Sequence, residues 1–238
     1  MKYMGSKNRH AKELLPIILA NRREGQWYVE PFVGGANMID RVTGPRIGSD
    51  VHPQLIAMWQ AVASGWLPPR SVSEAEYKAA HTERKIDALT GFIGFPCSYA
   101  AKWFGGYARG LAADGSPRNY ADEAHRAIAK QAPALYGVDF RHGSYADLDI
   151  PPASVIYCDP PYAGTTKYAA GAFDHAAFWK WCDARHDEGH TVFVSEYTAP
   201  EHWRCVWAKS VNNTLAKDTG SKQGVERLFT RAVIEEMF

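Results

Sequence analysis

The spacing of apolar residues changes several times along the chain, and each change marks a predicted element. Ala11, Leu14, Leu15, Ile18 and Leu19 form one helical stripe over residues 6–20, with Ser6 as the N-cap and Pro16 as a bend or break. Residues 27–33 are a strand-like apolar run closed by Gly34-Gly35, and 36–42 fit a short helix. Residues 46–50 read as a second strand and 53–63 as a helix with Leu55, Ile56, Trp59 and Val62 on one face. Strand patterns return at 136–140, 153–158 and 191–197, with a helix over 174–187, and further strand candidates lie around 203–215 and 225–235.

Residues 65–135 have a different texture. Prolines, glycines, alternating charges and aromatics occur there without period-2 runs, which predicts a mainly helical insert with loops. Strands alternating with helices elsewhere predict an α/β fold with a doubly wound, mostly parallel sheet. The expected division is a body of residues 1–64 and 136–238 with an insert at 65–135.

Composition narrows the class only a little. The chain has 238 residues, 46% hydrophobic and 22% charged, enough for a full core and ordinary for a globular protein. No apolar run approaches the ~20 residues of a membrane helix, and Met1 to Lys7 holds no signal-peptide core, so a cytoplasmic protein without membrane contact is expected. Cys97, Cys158, Cys182 and Cys205 are scattered, which suits a reducing compartment and argues for neither disulfides nor zinc. His186 and His190 sit in H-D-E-G-H, with the acid misplaced for H-E-x-x-H, so no metal is expected. A net charge of +1 neither supports nor excludes a nucleic-acid partner, and a monomer or weak dimer is expected.

Asp159-Pro160-Pro161-Tyr162 is the most informative stretch. It follows a buried strand, so an acid sits at a strand's carboxyl end, where open α/β sheets hold ligands. The prolines stiffen the turn and remove donors, leaving the Pro160 carbonyl as an acceptor beside the flat ring of Tyr162. A carboxylate, a carbonyl and a ring suit an exocyclic amine on a planar heterocycle. The same four residues also suit a plain strand-ending turn.

Glu30-Pro31-Phe32-Val33-Gly34-Gly35 is a strand-ending turn whose glycines let a ligand approach the backbone. Neither G-x-G-x-x-G nor a P-loop is present. Asp50 ends the next strand, where nucleoside-binding folds place an acid on ribose hydroxyls. Together they suggest an adenosine-type ligand without a pyrophosphate; a tight turn and a helix cap before Pro53 are the alternatives.

The chain resembles the Dam-like, alpha-class N6-adenine DNA methyltransferases. The resemblance rests on Y-x-G-S-K at 3–7, E-P-F-x-G-G at 30–35, the strand-end Asp50, D-P-P-Y at 159–162 and the late Glu226-Arg227-Leu228-Phe229 strand, in that order. It implies the S-adenosylmethionine-dependent methyltransferase fold, S-adenosylmethionine as donor, adenine in double-stranded DNA as acceptor, and 65–135 as a target-recognition insert. It also implies that Tyr3, Lys7, Phe32, Gly34, Asp50 and Asp159 border the cofactor, while Asp159, Pro160 and Tyr162 serve the flipped base. The compact form suits a phage or mobile-element enzyme, or one of restriction-modification.

Two departures from the family pattern stand out. Ser144-Tyr145 replaces the usual acidic-aromatic pair, with Ser144 or Asp147 left to meet the cofactor's adenine amine. Lys102 to Arg109 replaces the R-x-N-x-x-G-x-F-N stretch of the GATC readers, so a GATC target is not assumed. Lys102, Arg109 and Arg118 are the DNA-contact candidates, with Arg126 nearby and Trp103, Phe104 and Tyr107 either between them or in the insert's core. The loop 163–168 suits closure over a base. The alternatives are a methyltransferase acting on RNA or a protein amide, and a non-catalytic DNA-binding module on the same scaffold.

Overall fold

The computed structural model describes residues 1–162, 173–212 and 223–232. A single seven-stranded sheet organises them. In chain order the strands are β1 (Tyr28–Glu30), β2 (Arg46–Asp50), β3 (Val138–His142), β4 (Val155–Cys158), β5 (Thr191–Glu196), β6 (Arg204–Asn212) and β7 (Gln223–Thr230). Their spatial order is β3-β2-β1-β4-β5-β7-β6. β1 to β5 pair in parallel, and β7 runs antiparallel between β5 and β6. This is the doubly wound, mostly parallel α/β sheet that the sequence predicts, with helices packed on both faces.

The helices are α1 (Ala11–Leu19), α2 (Pro53–Ala63), α3 (Glu74–Glu83), α4 (Ala88–Gly94), α5 (Tyr120–Leu135) and α6 (His175–Asp187). Alternate strand residues bury opposite faces, as a covered parallel sheet requires. Tyr28, Tyr157, Phe193 and Leu228 join the core that holds Leu14 and Ile18 of α1, Trp59 of α2 and Ile128 of α5. Val29, Ile47, Ile156, Val192 and Val194 face Phe178 and Cys182 of α6. Among the described residues, no helix is long and apolar enough to cross a membrane.

The local predictions need correction in a few places. Pro16 lies inside α1 without splitting it, because its missing N–H removes a single ladder bond. Ser6 caps a short 3-10 turn, Lys7–Arg9, ahead of α1. The helix expected at 36–42 is a turn, with only Ile39–Arg41 in 3-10 form. Ala36 takes a left-handed φ of 52°, and the Gln131 amide of α5 donates to the Gly35 and Ala36 carbonyls at 3.2 and 2.7 Å. Those carbonyls are thereby drawn out of any helical ladder.

The chain runs outward from β1 to β2 and β3, then returns to begin the other half at β4 beside β1. The crevice at the carboxyl ends of β1 and β4 is therefore the switch point where such sheets hold ligands. Glu30 ends β1, Asp50 ends the neighbouring β2 and Asp159 directly follows β4.

Candidate functional site

The segment before α1 folds back over the switch point. Asn37 fastens it, donating from Nδ2 to the Met1 carbonyl at 3.1 Å and to the Ser6 hydroxyl at 2.8 Å. Tyr3 then lies on the glycine turn. A Cβ at Gly34 would stand 2.8 Å from Tyr3 Cε1, and one at Gly35 would stand 2.7 Å from Tyr3 Cβ. Gly34 has a φ of +45°, a conformation that favours glycine, and its carbonyl accepts from the Trp59 indole N–H at 2.8 Å.

Asp50 closes the other side of this turn. Its Oδ2 accepts from the Gly34 amide at 3.2 Å and its Oδ1 from the His52 amide at 3.0 Å. Burial outweighs these bonds and pushes its carboxyl up to about 6. A carboxylate offers about four lone-pair sites, so acceptor capacity remains beyond these backbone bonds. Phe32, half-buried after β1, packs on Tyr145 at 5.3 Å between ring centroids and edge-on to Phe173 at 5.9 Å. The Ser144 hydroxyl accepts from the Ala146 amide, while Asp147 is exposed.

Asp159 follows β4 and meets Lys7. The Lys7 ammonium Nζ lies 2.9 Å from Asp159 Oδ1 and 3.5 Å from Glu226 Oε2 of β7. It also stands 4.5 Å from the centroid of the Tyr162 ring, within cation–π range. The Tyr162 hydroxyl donates to the same Glu226 Oε2 at 2.7 Å, and its ring meets Tyr197 edge-on at 4.7 Å. Burial pushes the Asp159 carboxyl above its ordinary range, with Lys7 opposing the shift and Glu226 adding to it. Among the described residues nothing donates to the Pro160 carbonyl.

Beneath this group lies a polar layer absent from the sequence expectation. The Tyr28 hydroxyl donates to Glu30 Oε1 at 2.9 Å, and burial raises the Glu30 carboxyl well above its usual range. The Tyr157 hydroxyl pairs with Ser195 at 2.8 Å. Tyr28 and Glu30, two apart on β1, share one face of the sheet. Glu226 was visible only as part of a strand motif, because its neighbours come from β4 and the segment before α1.

The insert touches the same region through aromatic rings. His52 sits 4.7 Å from Phe95 and 4.1 Å from Trp103 by ring centroids, and Phe95 lies 5.5 Å from Tyr3. Burial holds the His52 imidazole down at about 4. Phe104 and Tyr107 pack edge-on to buried Tyr77, so these aromatics act as core. Lys102 is exposed on the loop that follows. Arg109 pairs with Glu74 at 2.5 Å, and Arg118 grips both oxygens of Glu123 at 2.8 and 2.7 Å while its guanidinium lies over Tyr120. Arg126 pairs with Asp122 of its own helix. His190 Nδ1 accepts from the Ser154 amide at 3.0 Å, linking strand ends. The loop 163–168 lies outside the described residues.

Residues 3–90 match the family profile of the D12 class N6 adenine-specific DNA methyltransferases. Among solved structures the chain is similar to "Putative methyltransferase yhhF from Escherichia coli", at 13% identity and a TM-score of 0.36, over 93% of this chain and 84% of that one. No curated protein matches the sequence.

Proposed function

We propose that this chain, whose residues 3–90 match the profile of the D12 class N6 adenine-specific DNA methyltransferases, methylates the exocyclic N6 amine of an adenine flipped out of double-stranded DNA, at a defined sequence and with S-adenosylmethionine as donor. The observation that carries this reading is Asp159 at the switch point, followed by an acceptor carbonyl with no described donor and the ring of Tyr162. An amine N–H pair matches the Asp159 carboxylate and the Pro160 carbonyl.

The residues present fit the donor. Asp50, half-buried and raised to about 6, is an acid suited to accept from ribose hydroxyls, and Phe32 packs with Tyr145 to offer an aromatic surface after β1. Tyr3 lies over Gly34 in the glycine turn, and Lys7, from the same leading segment, reaches Asp159. When bound, S-adenosylmethionine supplies an electrophilic methyl on a sulfonium.

The chain's own task is to make a poor nucleophile competent. The lone pair of adenine N6 is delocalised into the ring. Two acceptors at Asp159 and Pro160 favour a pyramidal nitrogen and stabilise the positive charge it gains, more in the transition state than before it. The target is unreachable inside a duplex, and flipping costs a few kcal/mol. Stacking on Tyr162, worth about 1–3 kcal/mol, offsets part of that. The insert at 65–135 reads the target, with Lys102, Arg109 and Arg118 as its DNA contacts.

The deciding experiment incubates the protein and its Asp159→Ala variant with labelled S-adenosylmethionine and, separately, duplex DNA, single-stranded RNA and protein. Incorporation as N6-methyladenine in duplex DNA, lost in the folded variant, is expected. Near-normal turnover by Asp159→Ala, or transfer to RNA or protein alone, overturns the proposal.

A further inference from the structure

We infer that Glu226 is a positioning residue that draws the Lys7 ammonium off Asp159 as the target amine arrives. The inference rests on the methyl-transfer reading above. It begins from a conflict of occupancy. Lys7 Nζ lies 2.9 Å from Asp159 Oδ1, the carboxylate that the amine must reach, and 4.5 Å from the centroid of the Tyr162 ring, on which the base must stack. A base seated there and a lysine left in place compete for the same carboxylate and the same ring.

Charge makes the conflict sharper. The transferring nitrogen becomes positive, and an ammonium held against Asp159 cancels the field that should stabilise it. Lys7 is only 7% exposed, so it cannot simply leave into water without a partner for its charge. Glu226 Oε2 is that partner. It stands 3.5 Å from Lys7 Nζ, just outside the ~2.7–2.9 Å of a charge-assisted hydrogen bond, so a small rotation of the lysine completes the bond.

The same oxygen accepts from the Tyr162 hydroxyl at 2.7 Å. Glu226 therefore fixes the ring of Tyr162 and receives the lysine at one atom. With Lys7 on Glu226, Asp159 is freed of its cation and its carboxylate can take the amine, and the cluster keeps one buried cation against two acids. Glu226 needs no contact with the substrate to do this; it acts through Lys7 and Tyr162.

The test compares Glu226→Gln, Glu226→Asp, Lys7→Met and the Lys7→Met/Glu226→Gln pair in steady-state methylation of duplex DNA. Glu226→Gln keeps the shape but loses the charge, so Lys7 stays on Asp159. Expected is a fall in kcat of at least about tenfold, with KM for S-adenosylmethionine within about twofold. Glu226→Asp should recover most of that loss. The pair should be no slower than Lys7→Met alone, because the defect of Glu226→Gln passes through the lysine. Wild-type kcat in Glu226→Gln overturns the inference, as does a pair whose defects multiply. Should Glu226→Gln unfold, Glu226→Asp decides: retention of kcat within about threefold supports the charge role, and a larger loss overturns it. If the wild-type protein methylates no adenine, the parent reading falls with this one; if it does and Glu226→Gln is unimpaired, this inference alone falls.

Discussion

The Asp50 carboxylate accepts the Gly34 amide hydrogen at 3.2 Å, so the acid ending β2 and the glycine turn after β1 form one unit. Folding moves this carboxyl from 3.8 to about 6, chiefly by burial. Between those values the folded state holds more protons than the unfolded chain, so rising pH lowers stability across that window and the penalty is complete above it. Asp50→Asn has no such titration. The stability of the wild type relative to Asp50→Asn should therefore fall by about 1–3 kcal/mol from pH 4 to pH 7. Urea midpoints at both pH values check this, and a constant difference contradicts it. Asp50→Asn should also bind S-adenosylmethionine at least about tenfold more weakly by calorimetry, through loss of a charged acceptor.

Gly34 combines a φ of +45° with the ring of Tyr3 seated over it. Alanine there costs about 1–2 kcal/mol for the left-handed backbone and pushes Tyr3 from its place. Gly34→Ala should lower Tm and weaken S-adenosylmethionine binding together. A variant that melts and binds like the wild type would show that Tyr3 does not depend on this seat.

Tyr162→Ala removes the ring on which the proposed function seats the flipped base. The expected loss is about 1–3 kcal/mol of engagement, read as a smaller fluorescence rise from 2-aminopurine placed at the target. An unchanged signal would count against stacking.

Lys102 is exposed, whereas Arg109 and Arg118 are held by Glu74 and Glu123. Lys102 can meet a phosphate directly, but the arginines must first exchange partners. Lys102→Ala should reduce the slope of log affinity against log salt by about one. An unaltered slope would remove Lys102 from the phosphate contacts.

The halves of the site differed in how much local pattern could reveal. Asp159, Asp50 and the glycine turn were legible because each sits where an apolar run stops, and strand ends are local events. The turn at 36–42 was not, since its carbonyls are taken by Gln131 from α5, a partner no local pattern displays. Glu226 was invisible as a functional group for a related reason. Its place beside Asp159 depends on β7 entering between β5 and β6, and strand order is set by packing of the whole sheet. In the sequence Trp103, Phe104 and Tyr107 fit a core or a set of DNA contacts equally well, and only their contacts with His52, Phe95 and Tyr77 decide for core.

Lys7 stands near the start of the chain and Glu226 near the end of the sheet, and both meet at Asp159. A polypeptide still emerging from the ribosome can therefore display its D-P-P-Y motif long before β7 exists to finish the cluster. Contacts so distant along the chain form late and slowly. Stalled or clipped products that stop short of β7 would lack Glu226 altogether, so the inferred role of that residue ties competence to synthesis through β7.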